Sequence, residues 1–273
     1  MTRDDTPARA ATLGDFAALK ANGTKIVMVT AYDALFGRLV DEAGVDAVLV
    51  GDSVATAVFG HQSTLPVTLD QMIYHAAAVR RGVKRAVIVI DMPFLTYQAS
   101  IELAILNCGR AVQETGAAAV KVEGGGPEMI ETVRALIRTG IPVMGHIGFT
   151  PQSVKTIGGA RVQGRQPADA ERLIDEAKGL EEAGAFAVVL ELVPAQVSAR
   201  ITSALRIPTI GIGAGPDCDG QVLVLPDLLG LNDTFTPKFL KRYAELARDV
   251  RKAVETFGGE VRAGAYPGSE HSF

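Results

Sequence analysis

Apolar residues in this chain gather in short dense runs, not in long stretches of strict alternation. Three runs echo one another: EAGVDAVLV at 42–50, ETGAAAVKV at 114–122 and EAGAFAVVL at 182–190, with glycines at 44, 116 and 184. In each, a helix ends at Glu-x-Gly, the glycine suits a left-handed helix cap, and Ala-Val opens a strand. The repeats are 72 and 68 residues apart, about two βα units, since one βαβ unit takes roughly 30 or more residues. Further apolar runs at 26–30, 86–90, 142–146, 208–211 and 221–225 bring the strand candidates to eight. Helical patterns occupy 33–43, 69–82, 100–115, 127–139, 168–183, 194–205 and 237–256.

Strands buried on both faces and interleaved with helices predict an α/β fold, a closed (β/α)8 barrel, with a doubly wound open sheet as the alternative. Only the connection between the seventh and eighth strands is too short for a full helix. No linker or shift in composition splits the chain, so residues 1–273 are expected to form a single barrel domain. It carries a short N-terminal extension and a tail after about 257.

Composition narrows the function. With 48% hydrophobic residues and 29 glycines, the chain has a sizeable core and none of the bias of disorder. A net charge of -4 argues against a nucleic-acid surface. No run approaches the ~18 uncharged residues of a membrane span, and the start lacks the apolar stretch of a secretory signal. No nucleic-acid or membrane partner is expected, and the reading is cytoplasmic. Cys108 and Cys218 lack CxxC spacing, so neither a disulfide framework nor a zinc site is indicated.

Barrels of this kind build their chemistry at the carboxyl ends of the strands. There the second strand ends in Gly51-Asp52-Ser53, the third in Asp91, the fourth in Lys121-Val122-Glu123, the fifth in His146 and the sixth in Glu191. Each has a plainer reading: Asp52 and Asp91 as helix N-caps, Lys121 and Glu123 as a buried ion pair, His146 as a core histidine, Glu191 as a helix-start carboxylate. Five consecutive strands placing ionisable residues on one rim favour a site. Carboxylates without a cysteine or an HExxH pair suggest hard oxygen ligation, hence Mg²⁺ and not zinc. Magnesium takes one or two carboxylates and leaves room for a chelating substrate such as a 2-oxo acid, whose enolate it would stabilise. A carboxylate off the metal would be the base, and Glu191 is the candidate.

Two loops stand out. GHIGFTPQSVKTIGGARVQGR at 145–165 has the length and glycine content of a substrate loop. GIGAGPDCDG at 211–220 lacks a full GxGxxG pattern and reads as a tight turn, with anion binding as the alternative.

The stretches VTAYDALFGRLVDEAGVDAVLVGDS, GHQSTLPVTLDQMIYHAAAVRRG, VKVEGG, PVMGHIGFTPQS, GGARVQGR, VLELVP and IPTIGIGAG, in that order, closely resemble the 3-methyl-2-oxobutanoate (ketopantoate) hydroxymethyltransferase family. The resemblance runs from about Leu13 through the last helix. It implies a barrel of the phosphoenolpyruvate/pyruvate type, one Mg²⁺ per subunit and a homodecamer. It also implies transfer of a one-carbon unit from 5,10-methylenetetrahydrofolate to 3-methyl-2-oxobutanoate, giving 2-dehydropantoate for pantothenate and coenzyme A. Carried over by position, Asp52, Asp91 and Glu123 are the metal-associated carboxylates. Asp52, Ser53, Asp91, Lys121 and His146 line the substrate, and Glu191 accepts the proton. None of these positions departs from the family pattern. The nearest rival is an Mg²⁺-dependent 2-oxo acid lyase or mutase of the isocitrate lyase type, whose KKCGH loop is missing here. A non-catalytic barrel is the rival from another class.

Overall fold

The computed structural model describes residues 9–273. Eight strands, β1 (Ile26–Thr30), β2 (Ala47–Val50), β3 (Val87–Asp91), β4 (Ala119–Glu123), β5 (Val143–Gly148), β6 (Ala187–Glu191), β7 (Thr209–Ile212) and β8 (Gly220–Leu223), close into a barrel in sequence order. Every neighbouring pair is parallel, β8 closing on β1. The helices in the same unit are α1 (Leu13–Ala21), α2 (Ala34–Glu42), α3 (Val54–Ala57), α4 (Leu69–Gly82), α5 (Ile101–Thr115), α6 (Pro127–Arg138), α7 (Val154–Ile157), α8 (Pro167–Ala183) and α9 (Ala195–Ala204).

The helix ends follow from local chemistry. Asp33 and Ser100 accept backbone N–H bonds at the starts of α2 and α5, and Thr68 and Gln71 form a reciprocal cap on α4. The glycines of the three echoes all adopt left-handed backbone, with φ of 91° at Gly44, 67° at Gly116 and 101° at Gly184. That conformation, disfavoured for residues with a Cβ, turns each helix back into the next strand.

Inside the barrel, alternate residues of each strand point inward. Ile26, Met28, Ala47, Leu49, Val87, Val89, Ala119, Met144, Ala187, Val189, Ile210 and Val222 form one apolar plug. Phe16 of α1 belongs to it and meets Phe186 edge-on at 5.5 Å. Helix α1, not foreseen within the N-terminal extension, is pinned by Lys20. Its ammonium donates to Asp219 Oδ2 at 2.8 Å and to the Thr202 carbonyl at 2.9 Å. Asp219 also accepts the Thr209 N–H, at 2.9 Å. Cys108 packs in α5, and Cys218, in the turn before β8, is also buried. The 211–220 run is a close turn: a Cβ on Gly215 would lie 2.5 Å from that of Ala195.

Residues Leu225–Phe273 form a second compact unit. It contains α10 (Leu225–Leu228) and α11 (Leu246–Arg262). The sequence pattern places the last helix at 237–256, yet it begins only at Leu246. The N–H groups of Tyr243 and Leu246 go to the carbonyls of Leu228 and Leu229 instead of to a preceding helical turn. Tyr266 meets Phe257 of α11 edge-on at 5.4 Å and His271 at a tilt at 5.2 Å.

Candidate active site

The inward row of each strand continues upward from the plug into ionisable residues. Val87 and Val89 lead to Asp91, Ala119 to Lys121 and Glu123, Met144 to His146, and Ala187 and Val189 to Glu191. Register sets Asp91 beside Lys121 and Glu123 beside His146. Asp52 follows β2 directly, and its N–H donates to Asp91 Oδ2 at 3.0 Å. Gly51 precedes it because a Cβ there would lie 2.7 Å from Ser53 Oγ and 3.5 Å from Asp91 Oδ2. Ser53 Oγ and Tyr32 Oη are 2.8 Å apart. All seven residues expected at the rim from the sequence lie there, and Asp52, Asp91, Lys121, Glu123 and His146 are buried. Glu191 is the accessible carboxylate, its side chain 18% exposed.

Lys121 lies 2.8 Å from Asp91 Oδ1 and 3.0 Å from His146 Nδ1. Burial weakens its hold on its proton, but Asp91, Glu123 and Asp52 more than offset this and hold it above the ordinary lysine range. An ammonium only donates, so Nδ1 of His146 must accept, and its hydrogen sits on Nε2. Burial and the Lys121 charge push His146 down, so it is neutral. Its Nε2 is 3.2 Å from Glu191 Oε2 but out of line for a hydrogen bond, and among the described residues it has no other partner.

The negative charge is poorly compensated. Burial, with Asp91 and Glu123 adding to it, pushes Asp52 up to about 8. Burial likewise pushes Glu123 up to about 7, against the pull of Lys121. Glu191 is raised too, by burial, with His146 working the other way. Four carboxylates facing one ammonium form a site that a divalent cation would relieve. Among the described residues no three His, Cys, Asp or Glu side chains are arranged to hold a metal on their own. An open site of this kind fits Mg²⁺, which needs one or two carboxylates and keeps positions for water and substrate.

Two contributors escaped the sequence reading. Gln152, in a turn at Pro151–Ser153 after β5, and Tyr97, in the irregular stretch after β3, are both buried among the rim carboxylates. The N–H of Gln152 donates to Glu123 Oε2 at 2.9 Å, and the N–H of Glu123 to Tyr97 Oη at 2.9 Å. The available signal was position: each lies in a helix-free stretch directly after a strand bearing rim residues.

Residues 10–269 match the sequence model of a family described as ketopantoate hydroxymethyltransferase. A 3-methyl-2-oxobutanoate hydroxymethyltransferase of Pelobacter propionicus is 55% identical over 262 residues, 96% of this chain and 97% of that protein. One from Moorella thermoacetica shares 55% over the same 96% and 97%. Among solved structures, 2,3-dimethylmalate lyase, a PEP mutase/isocitrate lyase superfamily member, superposes with a TM-score of 0.61 at 17% identity. That match covers 97% of this chain and 92% of the lyase, and it shows a shared fold.

Proposed function

The chain belongs to the ketopantoate hydroxymethyltransferase family, and from that premise we propose how its rim carries out the reaction. The protein transfers a hydroxymethyl group from 5,10-methylenetetrahydrofolate to 3-methyl-2-oxobutanoate, forming 2-dehydropantoate for pantothenate and coenzyme A synthesis. Asp52 and Asp91 would hold one Mg²⁺, with Glu123 as the third associated carboxylate. Bound there, the ion supplies Lewis-acid polarisation of the 2-oxo acid's keto group.

The observation that carries the chemistry is Glu191: a carboxylate at the open side of the acidic cluster, with a raised proton affinity and, among the described residues, no lysine or arginine paired with it. Such a group is a competent base for the C3 proton of the substrate. Lys121 has three ammonium hydrogens, two of them directed at Asp91 and His146. The third is available to the substrate carboxylate. Ser53, with Tyr32 as its partner, offers a hydroxyl to the same carboxylate. Once Glu191 has taken the proton, C3 bonds to the methylene carbon as its two bonds to the folate nitrogens break; one water supplies the new hydroxyl, and its other hydrogen together with the C3 proton goes to those nitrogens as tetrahydrofolate leaves.

No helix among the described residues is long and apolar enough to cross a membrane. We place the enzyme in the cytoplasm as a homodecamer, on the strength of the family. The lyase reading has only the fold in its favour.

Proton NMR of 3-methyl-2-oxobutanoate in D₂O tests the assignment. The C3 hydrogen should exchange with enzyme and Mg²⁺ and persist when a chelator is added. Glu191→Gln should slow exchange by about 100-fold or more while leaving Mg²⁺ and substrate binding largely intact. An unimpaired variant removes Glu191 from the role of base.

A further inference from the structure

Asp52 lies just after β2 and Glu123 ends β4, and one side chain joins them. Gln152 Nε2 donates to Asp52 Oδ2 at 3.0 Å and to the Met92 carbonyl at 2.9 Å. Its Oε1 accepts from Tyr97 Oη at 2.8 Å and from Gln98 Nε2 at 2.9 Å. The backbone N–H of the same residue holds Glu123 Oε2, and Tyr97 Oη accepts the N–H of Glu123. Both hydrogens and both lone pairs of the amide are therefore used, so it has one orientation. A flipped amide would set its oxygen against Asp52 and the Met92 carbonyl. Gln152 also opens the glycine-rich segment after β5, whose Lys155, Arg161 and Arg165 are exposed.

We propose that Gln152 is a positioning residue that sets Asp52 and Glu123 for a divalent cation and thereby links cation occupancy to the placement of the 154–166 segment. The inference rests on the cation site assigned above to Asp52, Asp91 and Glu123. An amide does this where a carboxylate would not, because it fixes Asp52 without adding charge. Groups that orient metal ligands commonly matter nearly as much as the ligands themselves. Through Gln152 the same bonds that orient the carboxylates anchor the first residues of the loop. A cation that favours this arrangement must favour the anchored loop, and the reverse holds by linkage.

The test uses the full chain with Mn²⁺ as the hard-cation probe, read by titration calorimetry, and with trypsin cleavage at Lys155, Arg161 and Arg165 as the second readout. Mn²⁺ should bind the wild type and slow cleavage of the segment. Gln152→Met, of similar length but without the amide, should bind Mn²⁺ about tenfold or more weakly and lose cation protection even at saturation. Should that variant fail to fold, Tyr97→Phe decides: a loss of about threefold in affinity supports the proposal, and an unchanged Kd overturns it. A Gln152→Met protein with a lowered melting temperature but wild-type Kd and protection overturns the proposal and leaves the cation site standing. A wild type that binds no Mn²⁺ removes both.

Discussion

Asp52 and Glu123 keep their protons to higher pH than surface carboxylates because burial penalises ionisation, with the charges of Asp91 and Glu123 adding to it at Asp52 and that of Asp91 at Glu123. Both are raised in the folded state above their unfolded values. The metal-free protein therefore binds more protons than the unfolded chain from about pH 4 upward, and its stability falls as pH rises through about 7 for Glu123 and about 8 for Asp52. A cation reverses the preference because it binds the ionised forms and releases their protons. Thermal melts at pH 6 and pH 8 should show the metal-free protein weaker at the higher pH and the stabilisation by Mg²⁺ larger there, with apparent affinity rising up to about tenfold per pH unit. Equal Mg²⁺ shifts at both pH values would count against these carboxylates as ligands. The rim residues were legible in the sequence because Asp91, Lys121, Glu123, His146 and Glu191 occupy inward strand positions, where a period of two fixes direction. Gln152 and Tyr97 come from irregular backbone, which has no such period, and only coordinates could show them turned inward.

At the scale of elements, β5 and β6 come close together where catalysis is assigned. Gly148 has φ 95°, and a Cβ there would sit 2.3 Å from the Glu191 carbonyl and 2.7 Å from Val193 Cγ2. Gly148→Ala should push apart the strand that carries Glu191. We expect a destabilisation of about 2 kcal/mol or more and a kcat reduced by about tenfold or more, checked by denaturant melts and steady-state rates. A variant with wild-type kcat would show that Glu191 tolerates displacement. The strands were readable because dense Val, Ile and Ala runs ending at Glu-x-Gly echoes leave little choice of element. The last helix was misplaced because residues before Leu246 have helix-forming side chains but direct their N–H groups to the end of α10. Sequence periodicity does not register such competition from elsewhere in the chain.

At the scale of the whole barrel, the interior has two levels, an apolar plug below and charged groups above, with α1 fastened beneath by Lys20 and Asp219. This ion pair is mostly buried, with side chains 16% and 14% exposed, so removing one partner leaves a charge in poor surroundings. Lys20→Met should cost about 2 kcal/mol and lower Tm by roughly 5 °C, while kcat stays at the wild-type value because the reacting groups lie at the other end. A melting temperature unchanged by the substitution would mean that Phe16 packing alone holds α1. The same two-level interior governs where an abstracted proton can go. His146 offers Glu191 only an N–H, and its other nitrogen faces the Lys121 ammonium. Below lies hydrocarbon. Glu191 is the accessible carboxylate of the rim, so deuterium from the solvent should reach the substrate by the door through which the substrate itself entered.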